Sequence, residues 1–200
     1  MSTCTDKMHV LILGCGRKQT LDHYGIYRNG TFLTAEDVDL WTLDANPVVQ
    51  PRLVCRLGQD PIPLPDNSID LAIAMHLLEH IGTAGEAASW FQFWVELYRV
   101  LKPDAVLQFE CPYYSSVWAW ADPTHVRAIS EYTFLYLNQD AYKAEGSAIP
   151  DFRPRCDFVL ESWLTKADGN PDVVAREGNR THIEGRLVAR KPLRPYLETS

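Results

Sequence analysis

The chain has 200 residues, a length that suits one domain with a single hydrophobic core. Hydrophobic residues make up 46% of the sequence and charged residues 22%, which excludes an intrinsically disordered protein. The formal net charge of -7 argues against a protein that holds nucleic acid mainly through its phosphates, although a local basic patch stays compatible with it. We therefore predict one globular domain over residues 1–200, and a nucleic-acid partner is disfavoured.

The cysteines and the apolar segments indicate a cytoplasmic location. Five cysteines are scattered and never form a C-x-x-C pair, which is typical of reduced thiols rather than of disulfides or a zinc site. The polar segment Met1–Lys7 carries no targeting signal. The longest apolar stretch, Leu71–Leu78, is interrupted by His76 and is too short to span a bilayer. We expect a cytoplasmic protein that does not associate with membranes.

Four strands are predicted in the first 75 residues. Met8–Gly14 is a continuous apolar run ended by glycine, which is typical of a strand buried on both faces of a parallel sheet. Asp39–Asp44, Arg52–Arg56 and Asp70–Met75 are the next three runs with strand character, and turn-forming residues separate them. The spacing leaves room for short connections on the faces of a sheet.

Two helices and a further strand follow. Between Ala84 and Leu101 the apolar residues recur at intervals of three and four, which predicts a helix that ends at Lys102-Pro103. Ala105–Cys111 is the fifth predicted strand. Ser130 is suited to cap a second helix over Glu131–Leu137.

The tail adds two more strands, Cys156–Leu164 and His182–Ala189, joined by a polar segment that favours an antiparallel hairpin. Strands that alternate with helices and then close with a hairpin predict an α/β fold. We expect a doubly wound, mostly parallel sheet of seven strands, with a C-terminal antiparallel hairpin and helices on both faces. In such a sheet the ligand cleft lies at the carboxyl ends of the early strands.

Two glycines and one carboxylate stand at the ends of the first two strands. Gly14 and Gly16 allow a positive φ and a close approach of the backbone to a ligand, but such a pair equally suits a tight turn without one. Asp44 ends the second strand, where a carboxylate can bind the ribose hydroxyls of an adenosine ligand or simply serve as a turn residue. Their combination favours the ligand site.

Five ordered motifs then resemble those of the class I S-adenosylmethionine-dependent methyltransferases. They are Leu-Gly-Cys-Gly-x-Lys at 13–18, Asp44, Leu-Pro-Asp-Asn-Ser-Ile-Asp at 64–70, His-Leu-Leu-Glu-His at 76–80, and Tyr-Arg-Val-Leu-Lys-Pro at 98–103. The order and spacing are similar to the family's from about Val10 to Pro112. A nicotinamide-dependent dehydrogenase is disfavoured, because the third glycine of its loop is missing and the later motifs would go unexplained.

The resemblance implies that S-adenosylmethionine is the cofactor and S-adenosylhomocysteine the product. By position, the glycine turn would wrap the methionine portion, the carboxylate would bind the ribose, and the ends of the third and fourth strands would meet the adenine and the sulfonium. The cofactor-binding residues implied are Gly14, Cys15, Gly16, Asp44, Leu57, His76 and Leu77. Glu79 and His80 match the family's Glu-His pair close to that site.

Two positions depart from the family pattern. Ile12 stands where relatives usually carry a polar residue that contacts the amino group of the cofactor, and Arg56 stands where many carry an aspartate near the adenine. Two missing polar contacts of about 1 kcal/mol each would weaken cofactor affinity about thirtyfold. These departures keep a second hypothesis open, in which the domain senses the cofactor or binds a partner without turnover.

The segment Asp122–Arg127 carries a second group of reactive residues, and a related string recurs in some members of the family. His125 is suited to remove a proton from the acceptor, with Asp122 orienting its ring and His80 as a further catalytic or supporting residue. Arg127 is suited to pair with an anionic acceptor. Equally, these side chains suit a turn cap, core packing and a salt bridge.

Taken together, the sequence predicts methyl transfer from S-adenosylmethionine to an oxygen or nitrogen nucleophile. The family branch favours a small molecule or a glycan as the acceptor, on resemblance alone. No trio of His, Cys or carboxylate side chains has metal-ligand spacing along the chain, so no metal is predicted. The sequence leaves the oligomeric state open.

Overall fold

The structure is a computed structural model. It describes residues 7–24, 27–28, 31–143, 152, 154–166 and 180–194.

Nine strands form within the described residues. They are β1 (Met8–Leu13), β2 (Tyr27–Arg28), β3 (Thr31–Phe32), β4 (Val38–Asp44), β5 (Leu53–Val54), β6 (Ile69–Met75), β7 (Leu101–Pro112), β8 (Phe158–Lys166) and β9 (His182–Ala189). Seven of them build one sheet in the order β5-β4-β1-β6-β7-β9-β8, and β2 and β3 make a separate small hairpin.

The sheet is parallel from β5 to β7 and antiparallel beyond it. β1 pairs in parallel with β4 and β6, whereas β9 runs antiparallel to both β7 and β8. This arrangement confirms the predicted α/β class, the seven strands and the closing antiparallel hairpin. β5 is shorter than predicted, and β7 begins at Leu101 because the residues after the helix continue directly into the strand.

One face of the sheet is covered by helix α1 (Ala88–Val100). The helix begins four residues later than predicted. Trp90 and Trp94 of the predicted apolar face are buried, and Phe93 and Leu97, which were not assigned to that face, are buried with them. The ring of Trp94 lies 5.3 Å from that of Phe158 in β8, so α1 packs as far across the sheet as the closing hairpin.

The opposite face of the sheet carries a smaller apolar cluster. Val10, Leu71 and Ile73 point to this side and pack with Leu21 and Leu33 from the connection between β1 and β4. That connection contains a 3₁₀ turn and the β2–β3 hairpin. Over the described residues, turns and strand ends therefore cover this cluster, in place of the α-helix predicted for the second face.

The connection between β7 and β8 approaches the carboxyl ends of the parallel strands. It contains the short helix α2 (Trp118–Ala121) and a 3₁₀ helix over Glu131–Leu137. The latter begins after Ser130, as predicted, and the Thr133 hydroxyl accepts a hydrogen bond from the Ser130 N–H at 3.0 Å. None of the helices in the described ranges is long and apolar enough to cross a membrane.

Candidate active site

The glycine turn and Asp44 meet at the carboxyl ends of β1 and β4. Gly14 and Gly16 both have positive φ, at 61° and 50°. The Gly16 N–H donates to the Asp44 Oδ2 at 2.8 Å, and the Asn46 N–H donates to the Oδ1 of the same carboxylate at 2.8 Å. The two motifs that stand 28 residues apart in sequence therefore face each other. The carboxylate fixes the turn and keeps lone pairs for further donors.

Space around the two glycines differs. A side-chain carbon at Gly14 would come within 2.7 Å of the Leu77 Cδ1, whereas no described atom lies within 4 Å of the corresponding position at Gly16. Leu77 thus closes the turn on one side. The backbone of Gly16 stays open to an incoming ligand, which is what a close-approach glycine requires.

The side chain of Gln19 braces the turn from behind. Its amide donates to the carbonyl oxygens of Gly16 and Val49, and so links the glycine turn to the 3₁₀ turn after β4. Cys15 is buried in the turn, and burial together with the nearby Asp44 charge raises the pKa of its thiol. Cys15 is therefore a packing residue rather than a nucleophile.

Arg56, one of the two departures from the family pattern, is held by a neighbour. Its guanidinium makes two hydrogen bonds to Asp60, from Nε at 3.0 Å and from Nη2 at 3.1 Å. This bidentate pair points the charge at Asp60. Leu57, next in sequence, is partly buried against the core. Ile12, the other departure, is 1% exposed within the sheet.

His76 follows β6 in a strained conformation. Its φ is 51°, in the left-handed region that non-glycine residues rarely enter and that clusters at functional sites. Its two ring nitrogens lie between two carboxylates, with Nδ1 3.6 Å from the Glu79 Oε1 and Nε2 3.6 Å from the Glu110 Oε1. These carboxylates, Glu79 first, raise the pKa of His76 above its ordinary value despite partial burial.

Glu79 is 1% exposed, and neither of its carboxylate oxygens has a hydrogen-bond partner among the described residues. Apart from His76, the nearest base is His125, whose Nε2 lies 3.9 Å from the Glu79 Oε1. The ring of His80 stands 4.7 Å from that of His125, edge to face. The two predicted catalytic residues His80 and His125 therefore lie together, although they are far apart in the sequence. Glu79 lies next to both of them.

The loop that carries His125 is fixed by backbone and side-chain bonds. The Val126 N–H donates to the Glu79 carbonyl at 2.9 Å, which ties this loop to the turn after β6. The Asp122 carboxylate accepts hydrogen bonds from the Thr124 N–H and hydroxyl, and its other oxygen lies 3.9 Å from the His125 Nε2. The third predicted catalytic residue, Asp122, is thus beside His125, at a distance longer than a direct hydrogen bond.

These residues border a cleft of about 510 Å³. It is lined by His76, Pro112, Trp118, Ala121, Asp122, Pro123, His125 and His182. The volume falls within the range of small-molecule sites in proteins. The cleft adjoins the end of β6, next to Leu77 and hence to the glycine turn, so a bound acceptor would be close to a ligand held by that turn.

Arg127 points away from this cleft. Its Nη2 donates to the Glu86 carbonyl at 2.9 Å, and its guanidinium carbon lies 4.4 Å from the centre of the Trp90 ring. Burial lowers the pKa of Arg127. The guanidinium therefore packs against the loop before α1. Among the described residues it makes neither the anion contact nor the salt bridge that the sequence suggested for it.

Some residues at the cleft were not predicted from the sequence. His182 lies at its edge, because β9 runs antiparallel to β7 and brings its first residue opposite Pro112. Glu110 contacts His76, which also lines the cleft. The predicted antiparallel strand at the end of the chain could have indicated His182. The first residues of such a strand lie at the same edge of the sheet as the carboxyl ends of the parallel strands. The Glu-His motif placed Glu79 near the site, but its position between His76 and His125 was not predicted.

Comparison with known proteins gives one family match. Residues 11–109 match a family model described as a methyltransferase domain. A search of curated proteins finds no match.

Among solved structures, the chain is similar to three methyltransferases. A methyltransferase from Archaeoglobus fulgidus shares 17% identity with a TM-score of 0.54, over 92% of this chain and 87% of that one. A complex of a methyltransferase with its activator Trm112, from Haloferax volcanii, gives 15% identity and a TM-score of 0.58, over 94% and 86%. The N-methyltransferase NodS from Bradyrhizobium japonicum, bound to S-adenosylhomocysteine, gives 12% and 0.56, over 91% and 78%.

At such identities, the likeness to these structures establishes the fold, and the family model adds the class. Residues 11–109 therefore match a methyltransferase domain, and the fold of the chain is similar to that of the methyltransferase structures named above.

Proposed function

We propose that this protein transfers a methyl group from S-adenosylmethionine to an oxygen or nitrogen of a small molecule or glycan. The observation that carries the proposal is the alignment of three features along one edge of the sheet. These are the open glycine turn at Gly16, the carboxylate of Asp44 that contacts it, and the histidine-lined cleft beside them.

The residues at the glycine turn fit the cofactor. We assign Gly14, Cys15 and Gly16 to its methionine portion, because the turn leaves the Gly16 backbone open. Asp44 would accept hydrogen bonds from the ribose, since each of its oxygens accepts one backbone N–H and retains further lone pairs.

Three other residues complete the assignment. Leu57 would meet the adenine through its backbone, and His76 and Leu77 would flank the sulfonium end at the edge of the cleft. When bound, the cofactor supplies an electrophilic methyl group on a sulfonium sulfur, so the protein's main task is to align the acceptor and exclude water.

His125 is the residue that we assign to the proton of the acceptor. Its Nδ1 lies 3.3 Å from the Ala119 carbonyl oxygen, which can only accept, so the ring proton belongs on Nδ1 and the lone pair on Nε2. Asp122 stands beside Nε2 and would stabilise the imidazolium once the proton has moved. The ring of His80 packs against His125 and supports its orientation.

The lining of the cleft favours a ring-shaped polar acceptor. Trp118, with 46% of its surface exposed, and the prolines Pro112 and Pro123 offer apolar walls, while the histidines and Asp122 offer hydrogen bonds. Sugars combine an apolar ring face with hydroxyl groups and would match this mixture.

The proposal is tested by methyl transfer from labelled S-adenosylmethionine to a panel of glycosides and small alcohols and amines, with S-adenosylhomocysteine as the measured product. We expect His125→Ala to lose about 100-fold or more in rate while it binds S-adenosylhomocysteine as the wild type does. His23→Ala, at an exposed histidine, is the matched control. An unchanged rate in His125→Ala would show that this residue has no part in the chemistry.

The second candidate function is a cofactor-sensing or partner-binding module without turnover. Ile12 and Arg56 favour it, because the first is buried and apolar and the second is engaged by Asp60, so neither offers the polar contact usual in the family. Tight binding of S-adenosylmethionine with no product from any acceptor in the panel would support this alternative.

A further inference from the structure

Glu79, His80 and His125 bring together electron-pair donors from two separate segments. One carboxylate oxygen of Glu79 and one ring nitrogen of each histidine all lie within 4.8 Å of one another. The His125 Nε2, which carries a lone pair, lies 3.9 Å from both the Glu79 Oε1 and the Asp122 Oδ2. The lone pairs of these Glu79, His125 and Asp122 atoms therefore lie close together.

Glu79 provides the independent indication of a ligand. A carboxylate that is 1% exposed pays a large desolvation cost unless a cation or several donors face it. Within the described part of the chain, neither of its oxygens has a hydrogen-bond partner, and His76 at 3.6 Å approaches Oε1 alone. His76 is also shared with Glu110, so it compensates the buried charge only in part.

We propose that Glu79, His80 and His125 form a binding site for one divalent transition-metal cation, and that Zn²⁺ is the ion that the ligand set suits best. Two imidazoles and one carboxylate are ligands of Zn²⁺ and its first-row neighbours, whereas Mg²⁺ and Ca²⁺ require mostly oxygen. A shift of the side chains by about an ångström would bring the three atoms to the ligand spacing of such an ion.

The surroundings of the three residues are those of a supported metal site. The His125 Nδ1 donates to the Ala119 carbonyl, and the His80 Nδ1 lies 3.2 Å from the carbonyl and hydroxyl oxygens of Thr124. Hydrogen bonds of this kind from the second ring nitrogen orient histidine ligands in metalloproteins. The backbone bond from Val126 to Glu79 holds the two ligand-bearing segments together.

The consequence for catalysis rests on the proposed function. An ion with three protein ligands keeps an open position, and His125 lines the cleft, so an acceptor hydroxyl would complete the coordination there. Coordination lowers the pKa of a hydroxyl, and its proton would then pass to the Asp122 carboxylate, which lines the same cleft, instead of to the imidazole. In the metal-loaded protein, His125 is then a ligand and not a base.

The full-length protein, freed of metal with a chelator, is titrated with Co²⁺ and followed by its visible absorption, and Zn²⁺ binding is measured by calorimetry. We expect one ion per chain, absorption bands of a site with nitrogen ligands, and no displacement by excess Mg²⁺. Because loss of even a supporting hydrogen bond weakens metal sites 10–100-fold, Glu79→Gln and His125→Ala should lose at least about 100-fold in affinity. His23→Ala should bind as the wild type does.

Absence of stoichiometric binding, or equal affinity in Glu79→Gln and the wild type, would overturn the metal site. Circular dichroism confirms that each variant is folded. S-adenosylhomocysteine affinity is measured in the same samples, so failure of the metal site with intact cofactor binding leaves the methyl-transfer proposal standing. If the wild-type protein gives the expected Co²⁺ spectrum but does not bind S-adenosylhomocysteine, only the proposed function is overturned.

Discussion

Substitution of Gly16 by alanine separates a cost to folding from a cost to ligand binding. Gly16 has a φ of 50° and no described atom within 4 Å of the position that a Cβ would take. The new methyl group therefore meets no protein atom there, and the penalty for folding is the left-handed backbone alone, about 1–2 kcal/mol. A ligand that approaches the open backbone would, however, meet this methyl group directly.

Gly85 offers a matched control. It also has a positive φ, 76°, and open space around the position of a Cβ, but it lies in the loop before α1. Gly85→Ala should lower the free energy of unfolding by a similar 1–2 kcal/mol and leave cofactor affinity unchanged. Gly14→Ala should lower it further, because its methyl group would come within 2.7 Å of Leu77.

Affinity for S-adenosylhomocysteine is measured by calorimetry, and stability by urea unfolding of the same samples. Forcing a methyl group against a packed neighbour costs about 1–3 kcal/mol, so Gly16→Ala should weaken binding by about tenfold or more. The reasoning is refuted if Gly16→Ala and Gly85→Ala bind the ligand equally well, since the turn would then not approach it.

Three further predictions concern single carboxylates. Asp44→Ala should cost about 2 kcal/mol of S-adenosylhomocysteine affinity, measured by calorimetry, because charge-assisted hydrogen bonds are lost. Asn46→Ala keeps the carboxylate and should bind the ligand as the wild type does. Equal affinities of the two variants would contradict the ribose assignment. Arg99 lowers the pKa of Glu96 below its ordinary 4.5, so this carboxylate stabilises the fold at neutral pH and its contribution is lost as pH falls through the lowered pKa. Urea unfolding should therefore show Glu96→Gln less stable than the wild type at pH 7, with the gap closing in acid; a gap independent of pH would be inconsistent with this linkage. Glu79→Met, in the presence of a chelator, should raise the free energy of unfolding by about 1 kcal/mol or more, because it removes a buried charge; a destabilised variant would show that the charge is already compensated.

The sheet was predictable because its strands carry local signals. Val10–Leu13 and Leu71–Met75 are continuous apolar runs, which are typical of strands buried on both faces of a sheet. The helix on one face was predictable from its periodicity. The turns that cover the other face over the described residues were not predictable, because the connection between β1 and β4 has no strong periodic pattern and the expectation of a helix there came from the fold class.

The site divides in the same way. The glycine turn and Asp44 each end a strand, so parallel pairing of β1 with β4 was enough to bring them together. The approach of His125 to Glu79 depends on a loop that returns across 46 residues of sequence, and no spacing rule describes it. The metal site inferred here conflicts with the expectation of no metal for this reason: spacing along the chain cannot detect ligands that only tertiary structure assembles.

The central claim is that the glycine turn and Asp44 together hold an adenosyl group. A crystal structure of the protein with S-adenosylhomocysteine tests it most directly. We expect the ribose hydroxyls within hydrogen-bond distance of the Asp44 carboxylate and the sulfur at the end of β6 that faces the cleft. A ligand bound elsewhere, or an Asp44 carboxylate that makes only its contacts to Gly16 and Asn46 in the complex, would contradict the account.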